Sequence, residues 1–212
     1  MEIPDIVVGR LPIYLRALSH LESIGQTVTS SHEMGNALGI SSAQIRKDLS
    51  HFGEFGKQGT GYQVKYLVDQ LRRILKVGAD WDIAIVGAGD LGRALANYNG
   101  FADRGFRIRA IFDSDPRRIG QTHGGHVVQD ARDIGRVLPE LGIRLAMVAV
   151  PAAAAQLVAD HLVAAGVQGI LNYAPINILV PEGVQVQYID PVVHLQRMTF
   201  YLEAPTPNPV TG

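Results

Sequence analysis

Asp82-Ile83-Ala84-Ile85-Val86 runs directly into Gly87-Ala88-Gly89-Asp90-Leu91-Gly92, and Ala110-Ile111-Phe112-Asp113 follows about twenty residues later. This is the order of a strand, a glycine-rich phosphate loop, a helix and a second strand closed by an acidic residue, a dinucleotide-binding βαβ unit. Each glycine has its own task in such a loop. Gly87 makes the strand-to-helix turn, Gly89 lets a pyrophosphate approach the backbone, and Gly92 lets the helix lie close on the strand. The free N–H groups of the helix start then face the phosphates. Asp113 is placed to accept hydrogen bonds from the adenine ribose hydroxyls, which favours NAD over NADP, although Arg117 and Arg118 nearby could tolerate a 2′-phosphate. The loop begins roughly eighty residues into the chain, further than a simple cofactor domain requires. The segment in front of it therefore decides the function.

That segment reads as a winged helix-turn-helix. Leu11, Tyr14, Leu15, Leu18, Leu21 and Ile24 recur at helical spacing before Gly25. Ser30-Ser31-His32-Glu33 fits a capping box for a short helix that stops at Gly39, and Ser41-Ser42-Ala43-Gln44 suggests a second box that starts another helix two residues later. Two short helices joined by a tight turn place the second in a DNA major groove. On that helix Ile45, Leu49 and Phe52 form the core face, while Ser42, Gln44, Arg46, Lys47 and Ser50 form the polar face. Lys and Arg suit phosphates or guanine acceptors, Gln pairs with adenine, and Ser suits phosphate oxygens. Four glycines between Gly53 and Gly61 then permit a hairpin, a wing whose tip carries Lys57 and Gln58 toward the sugar-phosphate backbone or minor groove. Val64, Leu67, Val68, Leu71, Ile74 and Leu75 mark a closing helix.

Charge agrees with this division. Residues 1–79 carry nine Lys/Arg against seven Asp/Glu, whereas 80–212 carry ten against thirteen; seven of the basic residues fall within 46–76. A concentrated positive region points to a polyanion partner, a solvated face being the plainer alternative. Within the 212 residues no cysteine is available for disulfides, thiolate zinc or thiol redox chemistry, so redox sensing has to pass through a bound ligand. No apolar run nears the roughly 20 residues of a membrane span, and Met1–Asp5 lacks a basic or apolar leader, which predicts a cytoplasmic protein without a membrane partner.

Beyond the glycine loop, a helix through Leu91, Leu95 and Tyr98, strands at 107–112, 145–150, 169–171 and 184–189, and an alanine-rich helix over 152–165 predict a doubly wound α/β sheet. Pro151 and Asn172-Tyr173-Ala174-Pro175 fall where such sheets carry ligand-facing loops. Val192, Val193, Leu195, Gln196, Met198, Thr199 and Leu202 suggest a terminal helix whose apolar residues suit a second subunit. The expected organisation is a DNA-binding domain at 1–79, a Rossmann domain at 80–190, a terminal helix at 191–204 and a disordered tail at 205–212. Catalytic groups are scarce. His161 and His194 sit alone on helices, His123 and His126 offer only two ligands in a glycine-rich loop, and no nucleophilic triad is present, so neither an enzyme nor a metal site is expected.

Taken in order, Ser41–Gly53, Gly59-Thr60-Gly61-Tyr62 and Gly87–Gly92 resemble the recognition helix, wing and nucleotide loop of the Rex family of redox-sensing bacterial transcriptional repressors, over about residues 4–202. The resemblance implies a homodimer that binds an inverted-repeat operator through two winged helices, takes NADH or NAD⁺ as the sensed ligand, and exchanges its terminal helices. NADH would release the DNA. Arg46, Lys47 and Lys57 match its DNA-contacting residues, and Arg16, Tyr98 and Asp190 match a cluster near the nicotinamide and the subunit contact. The chain departs from the pattern at Gln58, where an arginine is common, and at Pro191, where a bulky apolar residue is frequent. A small NAD-dependent oxidoreductase and a CoA-type nucleotide module are the alternative readings.

Overall fold

The computed structural model describes residues 3–57 and 60–202, so Gln58 and the 205–212 tail lie outside the described residues. The chain divides into two compact units, Met1–Ala79 and Asp80–Gly212.

The first unit contains α1 (Asp5–Ser23), β1 (Val28–Thr29), α2 (Ser31–Leu38), α3 (Ser42–Ser50), β2 (Gly56–Lys57), β3 (Gly61–Gln63) and α4 (Val64–Ile74). Helix α1 buries Val7, Leu11, Tyr14 and Leu18, each three or four residues after the last. Helix α4 buries Val64, Leu67, Val68 and Leu71, and these stripes meet Met34 of α2 and Ile45 and Leu49 of α3 in one core. Both arms of the first capping box are present. The Glu33 N–H donates to Ser30 Oγ at 3.1 Å, and the Ser30 N–H donates to Glu33 Oε2 at 2.8 Å. The second box forms only halfway: Ser41 Oγ accepts from the Gln44 N–H at 3.2 Å, but the Gln44 side chain turns to Asp48 instead. The hairpin is joined by a third strand in the antiparallel order β1-β3-β2. Sequence reading missed β1, because two residues show no alternation. Gly61 secures that pairing, since its φ of +74° and the Thr29 carbonyl 2.4 Å from where a Cβ would stand leave no space for a side chain.

The second unit contains β4 (Trp81–Val86), α5 (Asp90–Ala96), β5 (Phe106–Asp113), β6 (Thr122–His123), β7 (His126–Asp130), α6 (Ile134–Leu141), β8 (Leu145–Val148), α7 (Ala152–Ala164), β9 (Gly169–Asn172), β10 (Gln185–Tyr188) and α8 (Pro191–Thr199). The sheet order is β10-β9-β8-β4-β5-β7-β6, parallel throughout except for the β6–β7 hairpin. This is the doubly wound Rossmann arrangement, with the strand order reversing between β4 and β8. Both faces are covered, as a parallel sheet requires. Ala84, Val86, Ala110 and Phe112 pack with Leu138, Ala155, Ala159 and Leu162 on one side, while Ile83, Ile85, Ile111 and Met147 form the other core.

Two expectations change, and two elements are new. Helix α5 stops at Ala96, so Tyr98 is not on it but opens a 3₁₀ turn over Asn99–Arg104. His123 and His126 do not lie in a loop: they pair with each other across β6 and β7, and His123 is buried with Nδ1 2.9 Å from the Thr122 carbonyl oxygen. Helix α6 and strand β7 had no strong periodic signal and escaped the sequence reading.

Two substitutions separate these local constraints. Gly9 is an exposed glycine within α1 with open space around its Cβ position, so Gly9→Ala raises the unfolding free energy by about 0.5–1 kcal/mol. Gly61→Ala lowers it by more than that amount. Chemical denaturation of both variants beside the parent protein measures the two shifts.

Candidate nucleic-acid interface and dinucleotide site

Helix α3 divides as its periodicity predicts up to Ser50, whereas Phe52, expected on the same helix face, lies beyond its end and packs partly against the core. Ile45 and Leu49 enter the core, while Arg46, Lys47 and Ser50 are exposed and Ser42 and Gln44 half-buried. Arg46 donates to Ser31 Oγ at 3.0 Å, which links α3 to the start of α2, and Ser50 Oγ donates to the Lys47 carbonyl at 2.8 Å. Gln44 is less free than expected, because its Nε2 donates to Asp48 Oδ1 at 2.6 Å. Lys57 ends β2.

Asp48 was not singled out from sequence, and among the described residues of this unit it is the one buried charged side chain. It is completely buried. Arg10 donates from Nε to Oδ2 at 2.5 Å and from a terminal nitrogen to Oδ1 at 2.8 Å, and the Tyr14 hydroxyl donates to Oδ2 at 2.6 Å. Burial pushes the carboxyl pKa up, but the hydrogen bonds from Arg10, Tyr14 and Gln44 overcome it and leave Asp48 below the usual carboxylate range. Burial and the bond to Asp48 push the Tyr14 phenol up. The sequence signal was present: Asp48 stands one residue from Leu49, on the side of α3 that the apolar pattern turns inward.

In the second unit the glycine loop sits at the carboxyl ends of the strands, where the strand order reverses. The Gly87 N–H donates to the Phe112 carbonyl at 2.8 Å and the Ala149 N–H to the Val86 carbonyl at 2.8 Å, so β5, the loop and the turn after β8 are sewn together. A Cβ on Gly92 would stand 1.7 Å from the Gly87 carbonyl oxygen, a contact only glycine allows. Gly89 is different: the nearest atoms to its Cβ position belong to the Arg118 guanidinium at 3.9 Å. The loop therefore leaves space at Gly89 and none at Gly92. Asp90 and Leu91 are exposed at the start of α5, with Arg93 paired to Asp90 at 3.0 Å. The first turn of α5 also carries N–H groups without intrahelical acceptors. Space over Gly89 and free donors beside it fit a pyrophosphate.

Asp113 ends β5 as predicted, but its carboxylate is already engaged. Oδ2 accepts from the Ala88 N–H at 2.7 Å and from Arg118 at 3.2 Å, and Oδ1 accepts from the Asp115 N–H at 2.8 Å. It is buried, and its first task is to shape the loop. Arg117 is occupied with Asp115, whose carboxyl it holds down at about 2, leaving Arg118 as the guanidinium nearest the loop. Pro151 precedes α7 and is exposed. Asn172 is buried, and its amide ties the following loop through the Ala174 N–H and the Ala174 and Ile176 carbonyls.

Tyr98 and Asp190 are not brought together within this unit. Tyr98 stacks edge-on against Phe101 at 5.0 Å and lines a cleft of about 520 Å³ with Phe106, Arg109 and His126, away from the glycine loop. Asp190 caps α8 by accepting from the Val192 N–H at 2.9 Å and lines a smaller cleft with Asn172 and Tyr188. Arg16 is exposed on α1. Among the described residues no group of three or more metal-ligating side chains gathers, and no helix is long and apolar enough to cross a membrane.

The asymmetry of the loop predicts different outcomes for its glycines. Gly92→Ala prevents the second unit from folding normally, while Gly89→Ala, at an ordinary φ of −69°, melts close to the parent protein. Circular dichroism melting distinguishes them, and equal melting of the two variants would contradict the geometry.

Two family models match the chain: "Putative DNA-binding protein N-terminus" over residues 2–50 and "CoA binding domain" over residues 79–176. A curated relative from Roseiflexus sp. (strain RS-1), named redox-sensing transcriptional repressor Rex, is 51% identical over 95% of this chain and 91% of its own length. The protein of the same name from Streptomyces coelicolor is 47% identical over 94% of this chain and 77% of its own. Among solved structures, RSP in complex with β-NAD⁺ and operator DNA is similar with a TM-score of 0.90 at 34% identity, covering 95% of this chain and 93% of that one. RSP in complex with β-NADH matches with a TM-score of 0.87 at 32% identity over 95% and 94%. With relatives this similar over nearly its whole length, the chain belongs to the Rex family of redox-sensing transcriptional repressors.

Proposed function

We propose that this protein is a redox-sensing repressor that binds an inverted-repeat operator as a homodimer and leaves it when NADH binds. The observation that carries the reading is the pairing, in one chain, of a winged helix with a glycine loop shaped for a pyrophosphate, together with the similarity to RSP bound to β-NAD⁺ and operator DNA.

On this reading Arg46, Lys47, Ser50 and Lys57 meet the phosphates and groove edges, with Ser42 and Gln44 at the start of α3 beside them. Gly87, Ala88, Gly89, Asp90, Leu91 and Gly92 cradle the pyrophosphate. Asp113 and Arg118 would serve the adenosine end and Pro151 the nicotinamide end, while Tyr98, whose cleft is away from the glycine loop of its own unit, would meet the nicotinamide only across the subunit contact. The dinucleotide supplies the signal through its redox state, and no residue of the chain is assigned a chemical step on it. The exposed apolar side chains of α8 and the segment after it, Val192, Val193, Leu195, Met198, Phe200, Tyr201 and Leu202, support burial against a second copy. Arg16, Tyr98 and Asp190 are the proposed switch cluster of that dimer.

The switch requires only unequal binding. If NADH prefers the form that cannot span both half-sites by about 1.4 kcal/mol, the population shifts tenfold; equal binding to both forms shifts nothing. Fluorescence anisotropy on an inverted-repeat duplex therefore shows operator affinity falling by tenfold or more on saturation with NADH and holding with NAD⁺. Unchanged affinity with NADH would overturn the sensor reading. The oxidoreductase alternative predicts substrate-dependent NADH consumption instead, and the CoA alternative predicts that CoA displaces NADH.

A further inference from the structure

Asp48 joins two pairs of residues, each spaced one helical turn apart. Arg10 and Tyr14 reach it from α1, and Gln44 reaches it from its own helix, so that four hydrogen bonds of 2.5–2.8 Å converge on a carboxylate with no exposed surface. An ionised carboxylate only accepts. The nitrogen end of the Gln44 amide must therefore face it, because the reversed amide would set Oε1 against a carboxylate oxygen. Asp48 thus fixes which way round the amide lies and commits one Nε2 hydrogen. Oε1 and the second Nε2 hydrogen are left over. One acceptor and one donor on the same amide are what the N6 amino group and N7 of adenine pair with in the major groove. A glutamine without such an anchor would have to choose its amide orientation and give up its rotamer freedom on meeting the base.

We propose that Asp48 is a positioning residue for base readout: it presets the Gln44 amide to recognise adenine in the operator half-site, while Arg10 and Tyr14 hold the carboxylate in place. The proposal rests on the DNA-binding reading of α3. It differs from the expectation of a freely exposed Gln44, since specificity at one base would then depend on residues of α1 that meet the core and not the DNA.

The test is selection by the full-length protein, with NAD⁺ present, from a library of duplexes randomised within an inverted repeat. Gln44→Ala erases a preference for adenine at one position of each half-site. Asp48→Asn lowers discrimination at that same position by about tenfold, the worth of a bidentate base contact, and leaves the preferences at other positions in place, because an asparagine can meet either end of the Gln44 amide. Tyr14→Phe keeps the ring and the carboxylate, removes one hydrogen bond, and gives a smaller loss at the same position. Melting curves accompany each variant, so that Tyr14→Phe carries the test if Asp48→Asn does not fold. A merely structural role for Asp48 would weaken binding evenly across sequences. Even weakening, an unchanged preference at the Gln44 position in the folded variants, or no position-specific loss in Gln44→Ala would each overturn the proposal. If the parent protein selects no sequence at all, the DNA-binding reading fails along with it.

Discussion

The Asp113 carboxylate is the interaction on which the nucleotide unit depends. It closes β5 onto the loop that follows β4 through the Ala88 N–H, and holds Arg118 above the open space at Gly89. A buried charge is costly unless its lone pairs are met, and here three donors meet them. The loop gains a fixed shape. The same device recurs in the first unit, where Asp48 ties α3 to α1. Each unit thus fastens its working element to its scaffold with one buried carboxylate, and in each case removing the acid would strand cations and donors that the fold has arranged around it.

This economy leaves other surfaces open. Arg46, Lys47 and Ser50 are free of core duty, and the region around them is the most basic of the chain. Helix α8 buries none of its residues within its own unit, although it carries Val192, Val193, Leu195 and Met198. Exposed apolar area of that kind is unfavourable in water and is relieved by association. A dimer would supply that relief, and it would also place two recognition helices on one duplex, as an inverted repeat requires.

Much of this was legible in the sequence because it rests on local rules. The capping box at Ser30 and Glu33, the inward faces of α1 and α4, and the glycine loop between β4 and α5 are patterns of near neighbours. What escaped depends on distant partners. Strand β1 has two residues and exists only because β3 pairs with it; β7 is defined by its pairing with β5 and by the hairpin to β6. The inward position of Asp48 follows from the pattern of α3, but its partner Arg10 stands thirty-eight positions earlier, beyond the reach of any local rule. Spacing places Asp113 at the end of β5 without telling how many backbone donors claim its carboxylate.

Sensor and repressor are one device only if the two binding events are coupled, and coupling is reciprocal: whatever factor NADH imposes on operator affinity, the operator must impose on NADH affinity. The most direct measurement is the Kd of NADH, read from its fluorescence, for the free protein and for the protein saturated with its inverted-repeat duplex. The account predicts weaker NADH binding on the operator, by the same factor by which NADH weakens the operator complex. An identical Kd in the two states would contradict it.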